Sequence, residues 1–276
     1  MKYDDTTKTL TASLKIGVVL KDIYEIDPVS KEYVKLPNGT NKSMPYHSTV
    51  NGANAPSSAK VNLKFVDRGA TTFNFLEMED FVSNTLNQNS YKLILGGCTK
   101  GAACGCRIAI KFDVRFVVLK SSKESASEYA RIIKLYPYAD RDDSGNWGEV
   151  GARFNENTNK YIEFGRDYTP VHECGHLFNY PDEYYSDGGS VHEQYIDNEQ
   201  LQFAKGHALA GTPTWQMISQ GNLMGMGARN KVANGVKPDI PPYYMEYLRR
   251  WMTKHTNKKW RIGSSYVCRN DDASSL

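Results

Sequence analysis

Between Arg107 and Lys120 the chain alternates. Ile108, Ile110, Phe112, Val114, Phe116 and Val118 are separated by mostly polar neighbours, a period of two. That pattern predicts a long strand of antiparallel type with one buried face. Residues 11–37 are rich in β-branched and aromatic positions either side of Asp27-Pro28, which predicts strands joined by a turn there. A polar stretch rich in Gly, Asn, Pro and Ser follows at 37–60 and reads as a loop or linker, before "KVNLKFV" (60–66) resumes a strand. The expected division is therefore a small β-rich segment over 1–60 and a main domain over 61–276.

Periodicity changes at 76–86, where Leu76, Phe81, Val82 and Leu86 fit an amphipathic helix. "ARIIKLY" and "NKYIEFG" predict further strands around the turn-rich "ADRDDSGNWGE". Prolines open "PPYYMEYLRRWMTKH", which then places Tyr244, Leu248 and Trp251 on one face beside Met245 and Met252; a packing helix is expected over 242–255.

Composition narrows the function classes. A net charge of +3 on 276 residues, with no long basic block, argues against a nucleic-acid partner. The short run "KHTNKKWR" reads as a solvated surface. No stretch approaches the roughly 20 apolar residues of a membrane span. The first 22 residues lack an apolar core long enough for a signal peptide. Export by a dedicated machine, or excision from a longer chain, are the two expectations. Eighteen tyrosines among many Asn, Gly and Ser suit an extracytoplasmic protein. Cys98, Cys104 and Cys106 crowd together, and Cys268 lies near the end. Without a second matching pair a zinc ribbon is disfavoured, and disulfides of open connectivity are expected.

The chemistry concentrates in "VHECGHLFNYPDEYY" (171–185). His172-Glu173-Cys174-Gly175-His176 fits H-E-x-x-H, which on a helix turns two imidazoles to one ion. Glu173, offset by about 100°, can reach a water beside that ion. Cys174, Leu177 and Phe178 fall on another side and are expected in the core. Thr169 is a suitable N-cap and Pro170 a suitable first residue; Asn179 tolerates a left-handed cap, and Pro181 forbids continuation. A helix over 170–178 is expected.

A catalytic zinc takes three protein ligands. Asp182, six residues beyond His176, stands where metzincins place the third ligand, with Asn179 in place of their glycine. "GNLMGMG" (221–227) offers Met224, with Met226 in reserve, for a methionine turn. A second "VHE" at 191–193 has Ile196 where the second histidine would stand.

With these motifs the chain resembles the zincin metallopeptidases over about 105–255, most nearly the metallopeptidase toxin domains of type VI secretion spike proteins. The resemblance implies an α+β fold with a twisted mixed sheet, an active-site helix carrying H-E-x-x-H and a C-terminal helix, here with an N-terminal β-rich segment. It implies a Zn2+ cofactor on His172, His176 and Asp182, with Glu173 as general base and Tyr184, Tyr185 or Tyr243 available to the oxyanion. A gluzincin plan would instead draw its third ligand from Glu193 or Glu199, less readily from Glu183, His192 or His207. An extended substrate would pair with a sheet edge near "NKYIEFG". The implied partners are a protein or peptide substrate, an immunity protein and the secretion machinery. Action outside the cytoplasm of a target cell is expected. Peptidoglycan peptides as substrate, or a non-catalytic β-rich binding module, are the alternatives.

Overall fold

The computed structural model describes residues 1–52, 54–96, 107–120, 126–155, 157–158, 160–180, 182–183 and 221–263. The cysteines at 98, 104, 106 and 268, and with them the disulfide expectation, lie outside that set. So does the second "VHE".

The molecule is α+β: one large mixed sheet and few helices. The strands are β1 (Lys2–Asp4), β2 (Thr9–Glu25), β3 (Tyr46–His47), β4 (Leu63–Asp67), β5 (Lys92–Leu95), β6 (Arg107–Val118), β7 (Arg131–Arg141), β8 (Asn146–Asn155), β9 (Lys160–Glu163) and β10 (Trp260–Gly263). The main path runs β10-β5-β6-β2-β7-β8-β9, with β1 and β4 beside β2 and β3 beside β7. Among the described residues three α-helices accompany it: α1 (Phe75–Leu86), α2 (Thr169–Leu177) and α3 (Glu246–Thr256).

β2 lies within the segment expected before residue 60. It is one 17-residue strand and lies in the middle of the sheet, parallel to β6 on one side and β7 on the other. The N-terminal residues therefore complete the main sheet. The turn at Asp27 forms, its carboxylate accepting from the Val29 and Ser30 N–H groups, but beyond it only isolated bridges remain before β3.

The alternation in β6 does mark one buried face: Ile108, Ile110, Phe112, Val114 and Phe116 are buried, while Val118 is 45% exposed. The strand's direction differs from expectation. β6 is antiparallel to β5 only over its first residues and parallel to β2 along most of its length. Alternation reports a covered face, not the direction of the neighbour. Beyond β5 the free edge of β6 is closed by side chains of α1. Asn87 bonds both the N–H and the carbonyl of Phe112, Ser83 accepts from Val114 and Glu79 from Phe116. Those helix residues are four apart, so one face of α1 meets an edge that would otherwise be left unpaired. Leu76, expected on the apolar face of α1, points to solvent at 68% exposure.

β8 emerges from the segment expected to be a turn. Only residues 142–145 turn; Trp147 is buried in the main core. At the C-terminus the prolines start a 3-10 turn (Pro242–Met245) that runs into α3, burying Tyr244, Met245, Leu248 and Met252. Among the described residues no helix is long and apolar enough to cross a membrane.

The sheet's two faces differ. The even positions of β2 from Leu10 to Leu20, with Ile133 and Leu135 of β7, pack beneath Val171, Cys174 and Phe178 of α2. Ile23, Tyr46, Tyr136 and Ala139 form a smaller core on the other face.

Candidate metal centre

α2 starts one residue earlier than expected. Tyr168 occupies the cap position, and the Thr169 N–H donates to the Asp167 carboxylate at 3.0 Å, so Asp167 does the work expected of the threonine. The C-terminal end follows expectation. Asn179 is left-handed at φ 65°. The Tyr180 N–H reaches back to Gly175 O and the Asn179 N–H to His176 O, both at 3.0 Å. This pair of bonds is a Schellman ending. It has a consequence for the chemistry, because it swings the Tyr180 carbonyl to 2.8 Å from Nδ1 of His176.

His172 is fixed in the same manner, with Nδ1 2.9 Å from the Leu223 carbonyl oxygen. A carbonyl oxygen only accepts, so each Nδ1 carries the proton. In a ring neutral on that tautomer, Nε2 is the lone-pair nitrogen that a metal would take. These two Nε2 atoms are 3.1 Å apart, and Asp182 Oδ1 lies 3.2 Å from both. Oδ1 is buried and makes no aligned hydrogen bond. Two imidazole nitrogens and a carboxylate oxygen thus converge in a nearly equilateral triangle, which a shared proton or a metal cation can hold together.

The triangle fits a metal. An ion about 2.05 Å from each atom would subtend angles of about 100°, close to tetrahedral and within the ordinary range for zinc on imidazole and carboxylate. His172, His176 and Asp182 are the group of metal-capable side chains that converge among the described residues. Burial alone would raise the Asp182 carboxyl, but the two imidazoles beside it hold it well below the usual carboxylate range. For His176 burial works to lower the pKa, and the neighbouring carboxylates of Asp182 and Glu173 overcome that and raise it.

Glu173 lines a cleft of about 1000 Å³ together with His172, Phe164, Met226 and Arg229. Its carboxyl is pushed up by burial and, less strongly, by Asp182. Cys174 is fully buried in the core, as expected, and burial pushes its thiol up.

Beneath the helix sits Met224, fully buried. A Cβ on Gly175 would come within 2.7 Å of its Sδ, so a glycine between the two histidines lets the methionine approach. Met226, the reserve, is exposed at the cleft instead.

The neighbouring Glu183 does not join the metal-capable cluster. It is fully buried, and its carboxylate accepts from Asn222 Nδ2 and from the Tyr243 hydroxyl, each at 2.8 Å. Its N–H donates to Met224 O at 2.9 Å. Burial pushes its pKa up to about 7 against these donors. The arrangement clamps the Asp182 segment to the turn that carries Met224. Tyr243, 2% exposed with its hydroxyl committed to Glu183 and Asn222, is therefore a structural phenol and not an oxyanion donor.

Glu193, Glu199, His192, His207, Tyr184 and Tyr185 lie outside the described residues. Sequence reasoning missed the clamp, which joins positions some 40 and 60 residues apart with no motif to mark them. It also missed Asp142 in the cleft wall, whose enclosed carboxyl accepts from the Gly148 N–H and is pushed up to about 8. The chain matches no protein-family model, no curated protein and no solved structure.

Proposed function

We propose that this chain is a zinc-dependent peptidase of the zincin type, with His172, His176 and Asp182 as ligands and Glu173 as general base. One observation carries the reading: two imidazole Nε2 atoms and a carboxylate oxygen meet within 3.2 Å beside a cleft that Glu173 also lines. Zinc, when bound, polarises a scissile carbonyl and acidifies a water. Glu173 would act as general base toward a water in the cleft and return the proton to the leaving amine. The carbonyls of Leu223 and Tyr180 hold the imidazoles in the tautomer and orientation that ligation needs. β9 ends the sheet on the cleft side of the chain, where Phe164 follows it into the cleft wall, and offers an edge to an extended peptide.

The likeness of the motif to type VI spike toxin domains supports an exported effector acting on proteins outside the cytoplasm of a target cell, with an immunity protein in the producer.

Metal content and cleavage of unfolded casein test the proposal together. The expected result is about one zinc per chain, lost in His176→Ala and in Asp182→Ala. Glu173→Gln is expected to keep zinc and lose cleavage. Absence of zinc in the unaltered protein after incubation with the metal would overturn the assignment. Full cleavage by Glu173→Gln would remove the general base.

A further inference from the structure

The face of the sheet turned away from α2 carries a second concavity. Val19, Lys21 and Ile23 of β2 alternate with the core-facing positions, and register places Val19 beside Lys134 of β7 and Lys134 beside Asn146 of β8. On this side Tyr46 and Tyr136 stack with ring centroids 4.9 Å apart and planes at 15°. Both rings are almost fully buried and form one wall of a cavity of about 240 Å³.

Its polar lining has one sign. Lys21, Lys60 and Lys134 reach it and no carboxylate does, whereas the metal cleft is lined by both signs. Lys21 pairs with Asp67. Among the described residues Lys60 and Lys134 have no carboxylate within ion-pair distance. The remaining walls are tied together by hydrogen bonds. Asn51 spans the loop, donating to Pro45 O and accepting from the His47 N–H, both at 2.8 Å. Asn146 is fixed by Asp143 at 2.8 Å and by the Tyr136 hydroxyl at 3.3 Å. Gly52 closes against Tyr46 so tightly that a Cβ there would overlap its hydroxyl oxygen. At the rim Phe65 stands 40% exposed.

We propose that this cavity binds a small aromatic carboxylate, its ring against Tyr46, Tyr136 and Phe65 and its anion between Lys60 and Lys134. Size decides the class. A cavity of about 150 Å³ holds benzene, so this one admits a ring with a short acid arm and excludes a nucleotide. Apolar rings on one side and ammonium groups on the other match an aryl acid. Two sources share that chemistry, a free aromatic acid and the C-terminal aromatic residue of a peptide.

Titration calorimetry of the full chain with phenylacetate tests the pocket, using the His176→Ala variant so that carboxylate binding to zinc does not contribute. Saturable binding with a Kd of roughly 0.1–1 mM is expected for a ligand of about ten non-hydrogen atoms. Lys60→Ala/Lys134→Ala, two partly or fully exposed positions whose folding is checked by near-ultraviolet circular dichroism, is expected to weaken it at least about tenfold. Neutral phenylacetamide is expected to bind as weakly. Tighter binding of N-acetylphenylalanine than of phenylacetate assigns the pocket to a peptide terminus, and the reverse order to a free acid. The proposal is overturned by no saturable binding, by equal binding of phenylacetamide, or by unchanged affinity in the double lysine variant. Because the histidine variant carries every measurement, failure here leaves the peptidase reading untouched.

Discussion

Gly175 separates the two histidines of α2, and its substitution by alanine tests how the methionine turn supports them. In an unencumbered helix the change would gain about 1 kcal/mol of propensity. Here the new Cβ meets Met224 Sδ at 2.7 Å and Tyr180 Cδ2 at 3.0 Å. Met224 is 0% and Tyr180 2% exposed, so neither has free space to enter. Overpacking of this kind costs about 1–3 kcal/mol, giving a net loss of about 0–2 kcal/mol for Gly175→Ala. Met224→Ala alone is expected to cost about 2–5 kcal/mol through the cavity it leaves. In that background the sulfur is gone and only the milder Tyr180 contact remains. Gly175→Ala should then become neutral or gain up to about 1 kcal/mol. The cycle therefore has a coupling of about 1–3 kcal/mol, with the sign of rescue. Urea unfolding of the four proteins with a chelator present measures it without a metal contribution. If Gly175→Ala had the same effect within about 0.5 kcal/mol in both backgrounds, Met224 would not be packed under the helix and the support for the metal centre would have to be sought elsewhere.

Three further substitutions probe neighbouring parts of the architecture. Tyr243→Phe removes a hydroxyl bonded to Glu183 and Asn222 and is expected to cost about 1–2 kcal/mol and about tenfold in zinc affinity, measured by competition with a chelator. Asp142 has its pKa raised from 3.8 to about 8, so the fold binds a proton that the unfolded chain has released; stability falls as pH rises from about 4 through 8. Asp142→Asn is expected to flatten that slope by up to a few kcal/mol, seen as a smaller difference between denaturation midpoints at about pH 5 and pH 8.5. Asn87→Ala strands both backbone groups of Phe112 on the β6 edge and is expected to cost about 2–4 kcal/mol in urea unfolding.

What was legible in the sequence followed the range of the interaction. The helix of the candidate centre was readable because everything that defines it lies within ten positions: the two imidazoles one turn apart, Pro170 at its start and the left-handed Asn179 at its end. Asp182 follows within six residues of His176, close enough for spacing alone to nominate it. The centrality of β2 left no such trace. Its alternation and the turn at Asp27 look the same whether the strand heads a separate hairpin or enters a sheet between β6 and β7, whose pairing residues lie about a hundred positions away. β8 was hidden for the opposite reason, since the aspartates and glycines at its start signal a turn while only Trp147 signals a core.

The clamp on Asp182 shows where local reading stops for the site itself. Asp182 and Glu183 are adjacent carboxylates in one short motif, and composition treats them alike. Their roles separate only because Asn222 and Tyr243, brought in from the methionine turn and the C-terminal segment, take up the Glu183 carboxylate. With Glu183 held toward the turn by these bonds, Asp182 beside it is directed at the imidazoles. Which of the two carboxylates meets the imidazoles thus follows from two hydrogen bonds made behind them. A test that swapped the pair, Asp182→Glu with Glu183→Asp, would keep charge and composition. It should still lose zinc, because the shorter carboxylate no longer reaches both donors and the longer one overfills the triangle.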